Sequence, residues 1–213
     1  FFSRNAEGLR QHQNQIAEFE HYASSVDDLL DNEQIRKSSR VLEVGPGDSE
    51  LINSLAARFE HITAIDNSAA MLDRAQAVIK KTLRDKVTLL HADIDQITQA
   101  ETQDKHFELI VLNMVLHHMA SPAALFASAR KLLAPGGCLL IVDLCPHDQD
   151  WARDTCGDLW LGFEPSDLDA WAQDVNLTRG QGIYLGLKNG FQIQARLFHQ
   201  PTTPVTLNNS EAI

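Results

Sequence analysis

The sequence predicts an α/β protein: a three-layer sandwich around a seven-stranded, mostly parallel sheet that ends in an antiparallel C-terminal hairpin. Three observations carry this. Short aliphatic runs alternate with helical segments from residue 40 to about 145, the pattern of parallel strands joined by crossover helices. The first run feeds straight into a glycine turn, Gly45-Pro-Gly47. Near the end, Ile183, Leu185 and Leu187 alternate with polar or small residues, and the alternation resumes after Asn189-Gly190 as Phe191, Ile193, Ala195 and Leu197.

Residues 1–39 read as an N-terminal helical flank or lid, because Leu9, Ile16, Phe19, Tyr22, Val26, Leu29 and Leu30 recur at spacings that suit helices lying on a larger body. Asp31 to Ser39 is a charged connector, and residues 40–198 form the main domain. Its strands are expected at Val41–Val44, Ile62–Ile65, Val87–Leu90, Phe107–Leu112 and Cys138–Val142, with helices over Glu50–Phe59, Ala69–Leu83 and residues 122–133. Ser121 and Pro122 suit the cap and first turn of the last helix, and Ala134-Pro-Gly-Gly137 stops it. In the hairpin, a two-residue Asn-Gly turn would pair Lys188 with Phe191 and send the two apolar sets to opposite faces. A three-residue loop with Gly190 left-handed pairs Leu187 with Phe191, puts both sets on one face, and is the preferred reading. A terminal hairpin also separates this plan from dehydrogenase domains, whose sixth strand is parallel. Residues 199–213 read as a flexible tail.

A chain of 213 residues with 44% hydrophobic content can bury one sheet-centred core. Its formal charge of −11, with no basic stripe interleaved with aromatics, argues against nucleic acid as a partner. Nowhere do about 18 apolar residues run together, so no membrane partner is expected and the chain reads as soluble and cytoplasmic. Cys138, Cys145 and Cys156 show no paired spacing and read as reduced thiols. His117, His118, Cys145, His147 and Cys156 are spaced too irregularly to suggest a metal, and none is expected.

The chemistry concentrates at Val41-Leu-Glu-Val-Gly-Pro-Gly-Asp-Ser-Glu50, a strand, a glycine turn and a helix start. Missing side chains there let a ligand approach the backbone. A dinucleotide would set its pyrophosphate on this turn, but its fingerprint wants a third small residue where Glu50 stands, and Glu43 adds a second carboxylate. S-adenosylmethionine has no phosphate and carries an ammonium and a sulfonium, so the same acids become attractive. The next strand ends at Asp66, 23 positions after Glu43, where a carboxylate can accept from a ribose diol. Ser68 competes with it for the helix cap. In His91-Ala-Asp93-Ile94, Asp93 could accept from an adenine amino group while Ile94 and Met71 cover the ring.

Val-Leu-Glu-Val-Gly-Pro-Gly, Ala-Ile-Asp-Asn-Ser, His-Ala-Asp-Ile, Leu-Asn-Met-Val-Leu-His-His-Met and Arg-Lys-Leu-Leu-Ala-Pro-Gly-Gly-Cys-Leu-Leu-Ile-Val-Asp together resemble the class I S-adenosylmethionine-dependent methyltransferases, over roughly residues 40 to 145. The resemblance implies a Rossmann-like sandwich whose characteristic final strands match the hairpin. It implies S-adenosylmethionine as cofactor, with Glu43 and Gly45 to Gly47 near the methionine moiety, Asp66 at the ribose, Asp93 near adenine, and Asn113 beside the sulfur; Asn67, next to Asp66, is a further cofactor-binding candidate. Where the family often has a third glycine this chain has Ser49. Trp151-Ala-Arg-Asp-Thr-Cys-Gly-Asp-Leu-Trp-Leu-Gly-Phe163 followed by Ser166-Asp-Leu-Asp-Ala-Trp171 resembles the insertion in methyltransferase domains associated with bacterial ArsR-type regulators.

Methyl transfer from a sulfonium is an in-line displacement with an excellent leaving group, so a general base is optional and alignment is the main task. Ligands of open α/β sheets collect at the carboxyl ends of strands, which points to His117 and His118 as candidate catalytic groups. Asp143, His147, Trp151 and Trp160 are candidates to contact a small-molecule methyl acceptor, whereas Trp171 suits packing. Two competing readings stay open: a non-catalytic sensor or partner module using the same cofactor site, and an NAD-dependent oxidoreductase.

Overall fold

Along Val41–Val44 every second side chain faces the same way, so Val41 and Glu43 share one side of the strand and Leu42 and Val44 the other. A computed structural model describes residues 16–100 and 106–202. The first part of the expected N-terminal flank and residues 203–213 of the expected tail lie outside that range.

The strands are β1 (Arg40–Val44), β2 (His61–Asp66), β3 (Val87–His91), β4 (Phe107–Asn113), β5 (Leu133–Leu144), β6 (Thr178–Gly186) and β7 (Gln192–His199). They form one sheet in the order β3-β2-β1-β4-β5-β7-β6. The first five are parallel and β7 is antiparallel to both β5 and β6. The expected sandwich and terminal hairpin are therefore present. Because β2 and β3 build outward from one side of β1 and β4 from the other, the order reverses between β1 and β4, where such sheets leave a crevice.

The helices are α1 (Ala23–Asn32), α2 (Leu51–Arg58), α3 (Ala69–Val78), α4 (Ile94–Gln99), α5 (Pro122–Leu132), α6 (Trp151–Cys156) and α7 (Pro165–Asp174). On one face of the sheet, Val26, Leu29 and Leu30 of α1 and Leu51, Leu55 and Ala56 of α2 pack with Val41, Val111 and Leu140. On the other, Leu125, Phe126 and Ala129 of α5 and Leu168 and Ala172 of α7 pack with Leu42, Ile110 and Ile141. Ser121 Oγ accepts from Ala124 N and Pro122 fills the first turn of α5, as its sequence suggests. α3 ends sooner than its apolar pattern: the buried Asn53 donates to Val78 O and accepts from Lys80 N, ending the helix, and residues Lys81–Lys86 form a 3-10 turn instead. Trp171 packs edge-on against Phe163 and near Phe126, so its reading as a packing residue holds.

The hairpin takes the three-residue loop. Leu185 pairs with Ile193 and Gly186 with Gln192, Leu187 N donates to Phe191 O at 2.7 Å, and Gly190 has φ +92°. Both apolar sets therefore face the same core. Since β7 runs antiparallel to β5, this loop lies at the carboxyl end of the parallel strands, and there Asn189 Nδ2 donates to Ile16 O at 2.8 Å. Gln200 continues the order past β7: its N donates to Gly137 O and its Nε2 to Leu133 O.

Candidate cofactor and acceptor site

The chain turns sharply after β1. Gly45 has φ +68° and Gly47 φ +54°, backbone that side chains rarely adopt. A Cβ on Gly45 would stand 2.6 Å from Val115 Cγ2, so this glycine is demanded by the chain's own packing across the β1/β4 crevice. At Gly47 the nearest atom to such a Cβ is Met71 Cε at 3.5 Å, which leaves room over the turn. Ser49, at the family's third glycine, is built in: its Oγ accepts from Leu51 N at 3.2 Å and from Asn113 Nδ2 at 3.3 Å. Asn113 Oδ1 in turn accepts from Tyr22 OH at 3.0 Å, tying the segment before α1 to the end of β4. Burial, with the charges of Asp143 and Glu43, pushes the Tyr22 hydroxyl well above its ordinary range, so it stays a donor.

A cavity of about 490 Å³ opens above these turns. Its wall is made by the segment around Phe19 and Tyr22, the glycine turn, the ends of β2, β3 and β4, and the His117–Met119 turn. Gly45, Gly47, Asp66, Asn67, Met71, Asp93, Ile94, Asn113, His117 and His118 all lie on it. Asp66 Oδ1 accepts from Ser68 N at 2.8 Å, so part of the capping expected of Ser68 falls to Asp66. Burial raises the Asp66 carboxyl, while the Ser68 bond and His91 hold it down. Asp93 is the N-cap of α4 in a reciprocal capping box with Gln96, at 2.8 and 2.9 Å. It faces the cavity with one oxygen already committed to the backbone.

Glu43 does not line the cavity. Its Cα partner on β4 is Val111, so it shares a face with Val111 and, one pleat further on, Asn113. It is 1% exposed, and neither carboxylate oxygen has a hydrogen bond among the described residues. Burial alone pushes its carboxyl up to about 8.

The acceptor-side candidates separate into two groups. His117 and His118 line the cavity with ring centroids 4.0 Å apart. Asp143 is fully buried behind them: Oδ2 accepts from Leu116 N at 2.9 Å and from His117 N at 3.4 Å, and Oδ1 accepts from Leu144 N at 2.8 Å. Oδ1 also lies 2.7 Å from His117 Nδ1, which assigns the imidazole proton to Nδ1 and leaves Nε2 as the functional nitrogen. Burial pulls the His117 value down, but the charge and hydrogen bond of Asp143, with Asp158, outweigh it and the net change is upward. His118 is driven well below the ordinary range by burial and by His117, against the pull of its Gly157 O contact.

His147, Trp151 and Trp160 do not reach the cavity wall. The His147 and Trp151 rings pack on Phe191 at 4.7 and 6.0 Å, and Trp151 Nε1 donates to Gln149 Oε1. Trp160 donates from Nε1 to Met119 O and lies beside Phe163. These aromatics brace the loops behind the site. Burial pushes the thiols of Cys138 and Cys156 up to about 12 and that of Cys145 up to about 11, so all three stay protonated. Two residues that the sequence reading placed in other roles, Tyr22 and Ser49, matter here, as does Asp158, to which it gave no role, with Oδ1 at 3.8 Å from His117 Nε2 and 3.6 Å from His118 Nδ1.

The sheet order, the glycine turn at its switch point and the cavity at the strands' carboxyl ends define a Rossmann-like methyltransferase fold. A family model described as a methyltransferase domain matches residues 11–183, and the chain belongs to that family. An uncharacterized methyltransferase of Mycobacterium tuberculosis is 35% identical over 116 residues, 54% of this chain and 56% of that protein. A ubiquinone biosynthesis O-methyltransferase of Alkalilimnicola ehrlichii is 25% identical over 151 residues, 65% of this chain and 60% of that protein. The chain thus spans less than two thirds of the length of these relatives. Among solved structures, an S-adenosylmethionine-dependent methyltransferase of Mesorhizobium loti superposes with a TM-score of 0.64 at 13% identity, covering 81% of this chain and 96% of that one. No helix among the described residues is long and apolar enough to cross a membrane.

Proposed function

We propose that this chain is an S-adenosylmethionine-dependent methyltransferase acting on a small-molecule acceptor by in-line transfer. The observation that carries the reading is one cavity that joins the acids at the ends of β2 and β3 to the two histidines beyond β4. Its residues fit the cofactor: Asp66 and Asn67 suit the ribose, Met71 and Ile94 flank the adenine position, and Gly47 leaves open space. Glu43 lies behind the cavity wall on the sheet face it shares with Asn113, and its carboxylate, without a hydrogen bond among the described residues, is proposed to attract the ammonium end from there. When bound, the cofactor supplies an electrophilic methyl on a sulfonium. The chain's own work is to hold that methyl against the acceptor and to exclude water.

His117 and His118 are the proposed catalytic groups, and they form the acceptor end of the cavity. Asp143 acts through His117 by fixing its tautomer and orientation. Continuation of the cavity past Asn113 favours an enzyme over a cofactor-binding module, in which that space would be filled. The ubiquinone relative supports a small organic acceptor, and the net charge of −11 argues against a nucleic-acid one. The Trp151–Phe163 segment, whose sequence resembles that of the ArsR-associated methyltransferase domains, pins the histidine turn from behind.

Calorimetric titration with S-adenosylhomocysteine and with NAD tests this. The former is expected to bind and Asp66→Ala to weaken it by about 1–3 kcal/mol through an unpaired ribose diol. Binding of NAD with no binding of S-adenosylhomocysteine would overturn the proposal.

A further inference from the structure

Asp158, like Glu43, is a buried carboxylate that no hydrogen bond among the described residues accounts for. It is 3% exposed, and neither carboxylate oxygen has a hydrogen-bond partner among the described residues. A buried carboxylate left this way is costly, and such groups in native proteins pair with charge or coordinate metals. Its Oδ1 is 3.8 Å from His117 Nε2 and 3.6 Å from His118 Nδ1, too far for hydrogen bonds. The ligand atoms of all three residues lie within 4.8 Å of one another. A tetrahedral centre with arms of about 2.0–2.1 Å sets its ligands about 3.3–3.4 Å apart, so the two separations from Asp158 close by a few tenths of an ångström and the histidine nitrogens approach each other by at most about 1.5 Å.

The surroundings are those of a metal site. A metal-bound histidine almost always gives its other N–H to a carboxylate or carbonyl. His117 Nδ1 already faces Asp143 Oδ1 at 2.7 Å, and Asp143 is itself held by backbone N–H groups. The segment carrying Asp158 is fastened to the histidine turn, because Leu159 N and Trp160 N both donate to His117 O at 3.0 and 3.1 Å. Coordination through His118 Nδ1 exchanges its 3.3 Å contact with Gly157 O for a metal bond. Irregular sequence spacing hides this cluster, since Asp158 arrives from the loop after α6 and only folding sets it against the pair.

We propose that His117, His118 and Asp158 bind one divalent cation of the zinc class, with an open fourth position facing the acceptor end of the cavity. Two histidines, one carboxylate and a vacant position are the ligand set of catalytic rather than structural zinc. The open position suits an acceptor that presents a hydroxyl, phenol or thiol, whose proton a cation makes easier to lose. The role in catalysis rests on the proposed methyltransferase reading, but the binding itself does not.

The full chain, dialysed against a chelator, is titrated calorimetrically with zinc chloride, and cobalt(II) is added to a second sample to read coordination geometry from its visible spectrum. One zinc per chain and a tetrahedral cobalt spectrum are expected. Asp158→Asn and His118→Ala are each expected to weaken zinc at least tenfold, and Asp143→Asn by about 10–100-fold through the lost orientation of His117. S-adenosylhomocysteine affinity should stay unchanged in Asp158→Asn, which shows that this variant is folded and separates the two proposals. Zinc binding without S-adenosylhomocysteine binding would sink the methyltransferase reading and leave the metal site standing. No stoichiometric zinc in the wild type, or zinc indifferent to both Asp158→Asn and His118→Ala, would overturn the metal site and leave a buried proton-sharing cluster.

Discussion

Glu43→Gln should make the protein more stable and a poorer binder of its cofactor. In the folded chain the Glu43 carboxyl is pushed from 4.5 up to about 8 by burial, and neither of its oxygens is hydrogen-bonded among the described residues. A carboxyl whose folded value is raised contributes full stability only below its unfolded value, and that stability drains away as pH rises to the folded value. The relevant window is therefore about pH 4.5 to 8. At pH 7 the unfolded carboxyl has been ionised across about two and a half pH units, which at about 1.4 kcal/mol per unit costs the folded state about 3 kcal/mol. Glutamine fills the same space and does not titrate. Urea denaturation of both proteins without ligand, from pH 5.5 to 8, should show a stability difference that grows by about 1.4 kcal/mol per pH unit in favour of the variant. S-adenosylhomocysteine affinity for the wild type should rise with pH, by up to about tenfold per unit, as Glu43 gives up its proton to meet the ammonium. The variant should lose that slope. A stability difference independent of pH, or a variant less stable than wild type at pH 8, would refute the reasoning about Glu43.

Two smaller perturbations probe the wall around it. Gly45→Ala puts a Cβ 2.6 Å from Val115 Cγ2 at φ +68°, so denaturation should report a loss of about 1–3 kcal/mol; pairing it with Val115→Ala should restore part of the loss, and no recovery would count against the clash. Tyr22→Phe leaves Asn113 Oδ1 without its buried donor, and calorimetry should show S-adenosylhomocysteine binding weakened by about 1–3 kcal/mol, with unchanged affinity removing Tyr22 from the site.

Much of the fold could be read from local pattern. The five parallel strands announce themselves as separate aliphatic runs, and the loop count between Leu187 and Phe191 decided the hairpin's register because only one choice puts both apolar sets on the core. That Gly45, Gly47, Asp66 and Asp93 would gather on one cavity wall was legible for a related reason, since each stands at or within three residues of the end of a parallel strand. Asp93-Ile-Asp-Gln96 has the spacing of a capping box, a structural duty that the ligand reading of Asp93 left out.

Around the His117–His118 turn the two histidines were legible but their partners were not, because those contacts join residues far apart in the chain. Nothing local ties His117 to Asp143 or His118 to Asp158, and Tyr22 meets Asn113 across 91 residues. His147, Trp151 and Trp160 sit on the segment that follows the fifth strand, yet the rings of His147 and Trp151 turn toward Phe191, and Trp160, still partly exposed, turns toward Phe163 and Met119 O.

The hydrogen bond from Asn189 to Ile16 spans 173 residues and sets the tip of the last hairpin under the segment that roofs the cavity. The roof over the first βαβ unit is therefore keyed by the last part of the sheet to be synthesised. Strands β1 to β5 and the glycine turn by themselves lack the contact that holds that roof. A ligand that needs the roof therefore stabilises only chains in which the hairpin is seated, so S-adenosylhomocysteine binding reports whether both ends of the described chain have met.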